Sequence, residues 1–154
     1  MKKILSLVAS LTIIAGVCAG VLAYIDSITK EPIKETAAKN EAAAREAVLL
    51  GDKSGFAEIG VSPAGYGGDI VLMVGFRSDK KTVISYKVLS ASETPGLGMK
   101  LSTPEFADQF GGKDGTALKV KKDGGEIEAI TSATITSRAV CGAIADARRK
   151  LSEK

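Results

Sequence analysis

Histidine is absent from this chain of 154 residues. Its absence excludes a Ser-His-Asp triad, an imidazole ligand for metal or haem, and any side chain that titrates intrinsically near neutral pH. Cysteine is scarce as well: Cys18 and Cys141 lie far apart and form no C-x-x-C pair. The chain alone therefore cannot hold an iron–sulfur cluster or a cysteine zinc site. Aromatic residues are few, at 5%, and tryptophan is missing. The net charge of +3 is mild, and the densest basic group, Arg148–Lys150, reads as a solvated helix end. Nucleic acid is not an expected partner. The sequence offers no catalytic residue and no metal-ligand set, so demanding chemistry would have to come from a borrowed cofactor.

What is present begins with an uncharged run of 22 residues, Ile4–Ile25. At about 1.5 Å of rise per residue, such a run is long enough to cross a bilayer core. Val21-Leu22-Ala23 makes a poor cleavage site, and Val17 before Cys18 makes a poor lipoprotein box, so a retained single-span anchor is preferred. Lys2 and Lys3 precede the run and Asp26 follows it, which places the N-terminus inside. Lys30, Lys34 and Lys39 weaken that bias. The expected organisation is a cytoplasmic tail over 1–3, a transmembrane anchor over 4–25, a connecting helix over 26–50, and an extracytoplasmic domain over 51–154.

The connecting segment is rich in helix formers, with Glu35–Lys39 and Glu41–Arg45 at i,i+4 spacing. Pro32 is expected near its start and Gly51 at its end. Beyond Gly51, Asp69–Phe76 and Thr82–Leu89 read as two strands joined by the polar turn Ser78–Lys81, an antiparallel hairpin. Gly65–Gly68 (GYGG) leads into it. A short helix is expected over Pro104–Phe110, and strands over Ala117–Lys122 and Ile127–Ile130 about the Gly124–Gly125 turn. A final helix follows from about Thr134, with an apolar series Ile135, Val140, Ile144, Ala147 and Leu151. The fold class is α+β: a small, mostly antiparallel sheet with flanking helices, preceded by one transmembrane helix.

Two stretches carry potential chemistry. Glu93–Gly98 (ETPGLG) is a loop in which a proline and two glycines let backbone approach something flat or bulky, beside Glu93 and Thr94. A tight connecting turn has the same composition. The second stretch places Thr131, Ser132, Thr134, Thr136 and Ser137 within seven residues, where a strand gives way to a helix. Ser132 or Thr134 could serve as an ordinary N-cap there; a phosphate would also find free N–H groups and the positive end of the helix dipole.

Together these stretches match a family. Thr131–Thr134 (TSAT) resembles the [ST]-G-A-[TS] acceptor motif of the FMN-binding domain found in two related complexes. One is the Rnf ion-translocating electron-transport complex, in its G subunit; the other is the sodium-translocating NADH:quinone reductase, in its C subunit. The ETPGLG loop, the GYGG approach and the N-terminal anchor are similar too, in the same order, and the short chain looks more like the Rnf protein. The resemblance implies covalent FMN, joined by a phosphoester to Thr134 and installed by a separate flavin transferase that uses FAD. It also implies that Glu93, Thr94, Leu97 and Gly98 lie along the isoalloxazine, with Thr131, Ser132 and Ala133 around the attachment point. Lys100 is a weaker candidate contact, and a solvated lysine serves equally well.

The chain departs from the family pattern at two places. Ser132 stands where glycine is usual, and Glu128 where an acidic residue, mostly Asp, is found six positions before the acceptor. Thr131, Thr136 and Ser137 are the alternative acceptors if the register is shifted. The function implied is electron relay within an Rnf-type complex, beside other membrane and redox subunits. The rival readings are a flavoprotein like the quinone reductase component, or one standing alone, and a noncatalytic membrane-anchored assembly module.

Overall fold

Helix α1 spans Lys2–Leu49 in the computed structural model, which describes residues 2–154. The chain divides into two units, Met1–Lys39 and Asn40–Lys154. In the first, Leu11, Ile14, Val21 and Leu22 are all more than half exposed. By length and composition this helix can cross a membrane. Pro32 does not begin a helix but lies inside α1. Its fixed φ is already helical, so it removes one hydrogen bond without ending a run of strong helix formers. Thr36 Oγ1 donates to Pro32 O at 2.8 Å one turn later.

The second unit is built on a three-stranded antiparallel sheet of β1 (Phe56–Ser62), β2 (Ile70–Phe76) and β3 (Val83–Ser90), in that spatial order. The expected β2–β3 hairpin is present, with register shifts at Val71/Leu72 and Gly75/Phe76. Strand β1 has no counterpart among the expected elements; Phe56 pairs with Phe76 and Ser62 with Ile70. Helix α2 (Pro104–Ala107) continues as a 3-10 turn through Phe110. The strands expected over Ala117–Lys122 and Ile127–Ile130 are absent. In their place are one parallel bridge, Val120 to Ile127, and a 3-10 turn over Lys121–Asp123. Alternating side chains suit a strand, but the glycine pair folds the chain back too tightly for a ladder: Gly125 N–H donates to Val120 O at 3.1 Å.

Helix α3 (Thr134–Ser152) covers one face of the sheet. Ile70, Leu72, Val74 and Phe76 of β2 are fully buried with Val140, Ile144 and Ala147 of α3. Each large apolar side chain so buried contributes roughly 1.5–3 kcal/mol relative to exposure. Gly60 permits the approach, since a Cβ there would lie 1.9 Å from Ala143 O. Ile135 is not part of this stripe and is 47% exposed. Its five-residue offset from Val140 turns it about 140° away from the buried face.

The opposite face of the sheet is covered by the end of α1, where Ala44 and Val48 pack with Ala57 and Met73. The outer edge of β1 is also occupied. Arg45 donates to Ala57 O at 2.7 Å, Lys150 to Ile59 O at 3.2 Å, and Val61 N–H donates to Asp146 Oδ2 at 3.0 Å.

Candidate functional site

Beyond β3 the chain turns into the Glu93–Gly98 loop, and Glu93 is only 6% exposed. Its Oε1 accepts the Tyr66 N–H at 2.8 Å and the Gly67 N–H at 3.3 Å. Its Oε2 accepts the Thr136 hydroxyl at 2.8 Å. A buried carboxylate requires such donors, and here they come from two other segments of the chain. Glu93 thus ties the GYGG segment, its own loop and the first turn of α3 into one wall. Thr94 O accepts N–H groups from Leu97 and Met99, both at 3.2 Å, closing the loop on itself. A Cβ on Gly98 would stand 2.4 Å from Glu93 Oε2, so the loop folds this way only with glycine at that position.

The hydroxyl cluster sorts by burial. The chain turns at Ile130–Ala133, with Ala133 N–H donating to Ile130 O at 2.9 Å. Ser132 takes φ +64°, a conformation that favours glycine. The N-cap of α3 is Ala133, and no side chain caps the helix. The capping expected of Ser132 or Thr134 is therefore not made: Ala133 takes the cap position, with Ser132 before it and Thr134 already inside the helix. Ser137 is fully buried; it accepts the Ile130 N–H at 2.9 Å and donates to Ala133 O at 3.0 Å. Thr136, 1% exposed, is committed to Glu93. Thr134 opens the helix, half-buried.

These walls enclose a cavity of about 550 Å³. Of the residues singled out in the sequence, Glu93, Thr94, Leu97, Gly98, Ser132, Ala133 and Thr134 line it together. Thr131 and Lys100 do not; they line a separate groove with Gln109 and Glu128. Thr136, named in the sequence only as an alternative acceptor, lines it too, and two lining residues were missed: Tyr66 and Ile135. Tyr66 is the sole aromatic of GYGG and is 72% exposed, and Ile135 is an apolar residue out of phase with its helix. That phase error is visible in the sequence and is the signal that could have found it. Nothing in the sequence marks Thr136 as the donor to Glu93, since the pair is separated by 43 residues.

Outside the cavity lining, Arg138 donates to both oxygens of Asp123 at 2.7 Å, and that hydrogen-bonded pairing holds the Asp123 carboxyl below its ordinary range. Gln109 Oε1 accepts the Glu128 N–H at 2.8 Å, fixing the backbone six residues before Thr134. Burial pushes the Cys141 thiol on α3 up to about 11. The site can thus receive a ligand with a broad apolar body and an anionic end: apolar and aromatic groups line the cavity, and an uncapped helix N-terminus meets it at Thr134.

A family model of the FMN-binding domain matches residues 65–149. Among curated relatives, the G subunit of the ion-translocating oxidoreductase complex of Vibrio atlanticus is 40% identical over 108 residues, 66% of this chain and 51% of that protein. The G subunit of the proton-translocating ferredoxin:NAD(+) oxidoreductase complex of Clostridium ljungdahlii is 45% identical over 86 residues, 54% of this chain and 46% of its own length. The chain spans about half the length of the curated relatives it matches. Among solved structures, the C subunit of the Na(+)-translocating NADH-quinone reductase of Parabacteroides distasonis aligns with a TM-score of 0.50 and 27% identity. That alignment covers 63% of this chain and 54% of the other.

Proposed function

The chain belongs to the FMN-binding domain family, and from that premise we propose that it is a membrane-anchored subunit relaying electrons through FMN carried covalently on Thr134. The setting is an Rnf-type ion-translocating oxidoreductase complex, as the names of its relatives suggest. Residues 4–25 serve as the span, 26–50 as the connecting helix and 51–154 as the flavin domain on the extracytoplasmic side. The observation that carries this reading is the position of Thr134. It is the first residue of an uncapped helix, on the wall of a cavity of about 550 Å³.

The residues present fit the cofactor. The cavity volume falls in the range of small-molecule sites, about 300–1,000 Å³. When bound, FMN supplies the redox chemistry that the chain's own side chains lack. Leu97 and Ile135 offer apolar surface to the ring, and Tyr66 an aromatic face at the rim. Glu93 holds the loop and the helix start at a fixed spacing. The α3 N-terminus favours the phosphate charge at Thr134. With no histidine to activate its own threonine, the chain relies on an outside flavin transferase that uses FAD.

Mass spectrometry of the protein coexpressed with a flavin transferase should show one FMN moiety on the peptide containing Thr134. The colour should persist after denaturation and vanish in Thr134→Ala. An unmodified peptide, or flavin retained in that variant, overturns the assignment. Protease accessibility in sealed vesicles of known orientation tests which side the domain occupies.

A further inference from the structure

We propose that Lys122 is the side chain that binds the phosphate group of the flavin nucleotide on Thr134. This assignment rests on the functional reading above and adds to it a residue outside the acceptor motif and the ETPGLG loop.

Lys122 Nζ stands 3.4 Å from Thr134 Oγ1. The neighbouring charges are already matched: Lys121 pairs with Glu128, and Arg138 with Asp123. Lys122 forms no ion pair among the described residues, so its charge remains available to an anion at Thr134.

The position of Thr134 between two concavities supports the same partner. Thr134 lines the large cavity with Leu97 and Ile135. It also lines a smaller groove of about 230 Å³ that contains Lys121, Lys122 and Glu128. A molecule with an apolar ring and a phosphate would place the ring on the first side and its charge at the junction. Lysine and the helix N-terminus then act on the same phosphate from two directions.

The turn that bears Lys122 is itself held in place. Asp123 N–H donates to Val120 O at 2.8 Å, and Gly124 closes the 3-10 turn with φ +79°. Arg138, one helical turn after Thr134, grips the adjacent Asp123 through both carboxylate oxygens. Arg138 and Asp123 are therefore positioning residues: they fix the Lys122 turn against the first turn of α3.

The test uses the full chain, loaded by a flavin transferase in the presence of FAD. Wild type is compared with Lys122→Arg, Lys122→Gln and Lys122→Glu, and with Lys53→Gln as an exposed control. Loading is followed by mass spectrometry at limiting transferase, folding by circular dichroism, and the loaded phosphorus by its ³¹P resonance. Lys122→Gln should load severalfold more slowly, and Lys122→Glu at least tenfold more slowly, while Lys122→Arg and the control stay near wild type. The ³¹P resonance should move in Lys122→Gln and not in the control. Wild-type loading in Lys122→Glu with an unmoved resonance in Lys122→Gln overturns the assignment and leaves the flavin reading standing. A wild-type chain that takes no flavin removes both.

Discussion

Thr136 donates its hydroxyl proton to Glu93 across 2.8 Å, joining the first turn of α3 to a loop 43 residues earlier in the chain. Both residues are buried. Removing Glu93 orphans three donors, whereas removing the Thr136 hydroxyl leaves one acceptor, Glu93 Oε2, without its donor. Glu93→Ala should therefore cost about 3 kcal/mol and Thr136→Val about 1–2 kcal/mol in urea unfolding. The two should couple by at least about 0.5 kcal/mol in a double-mutant cycle. Additive losses would show that the pair is not the tie described. On the proposed function, Thr136→Val should leave loading at Thr134 intact, because the Thr136 hydroxyl faces Glu93.

Ser132 holds φ +64° in the turn before the helix. A side chain in that conformation costs about 1–2 kcal/mol, partly offset by the greater freedom glycine has when unfolded. Ser132→Gly should accordingly gain roughly 0.5–1 kcal/mol, and Ser132→Val, whose branched side chain suits this region least, should lose about 1–2 kcal/mol. Equal midpoints for all three proteins in chemical denaturation would contradict the conformation.

Gly60 separates β1 from α3 by less than a methyl group, with Ala143 O 1.9 Å from where a Cβ would sit. The obstacle is a helix carbonyl and cannot rotate aside. Gly60→Ala should destabilise the domain by about 3 kcal/mol or more, read as a fall in thermal midpoint. Gly124→Ala makes a useful contrast: nothing lies within 4 Å of its Cβ position, and only its φ of +79° is at stake. It should lose less, about 1–2 kcal/mol.

Cys141 gives a pH dependence. Burial raises its thiol from 9.0 to about 11. Below pH 9 the folded and unfolded chains both keep the proton. Between about 9 and about 11 the unfolded chain releases it while the folded chain holds it, so stability falls as pH rises through that window. The loss should reach about 2 kcal/mol in wild type relative to Cys141→Ala, measured as the difference between their urea midpoints at pH 8 and near 11. Parallel curves for the two proteins would remove the effect.

The parts of the fold that were legible are those with strong local signals. The β2–β3 hairpin follows from two apolar runs around a polar turn, and α3 from a stripe at helical spacing. Strand β1 was missed because Gly60 and the mixed burial of Glu58 and Val61 leave it no clean alternation. The strands expected at Ala117–Lys122 and Ile127–Ile130 failed for the opposite reason: alternation was present, but tertiary geometry reduced it to one bridge. At the site, local motifs located the two loops that meet at the cavity. Sequence could not assign the internal duties of their side chains. Glu93, read there as a group facing a ligand, spends both oxygens on protein donors. Ser137, read as an alternative acceptor, closes a turn. Such pairings depend on distance in space and leave no trace in spacing along the chain.

The occupied edge of β1 limits how this domain can associate. Arg45, Lys150 and Asp146 take up backbone groups of Ala57, Ile59 and Val61 that a further strand would need. Strand addition there would first require three charged side chains to let go. A partner protein is thus steered away from that edge, and so is a second copy of the chain. Past β1, growth of the sheet is closed off by side chains that belong to the domain itself.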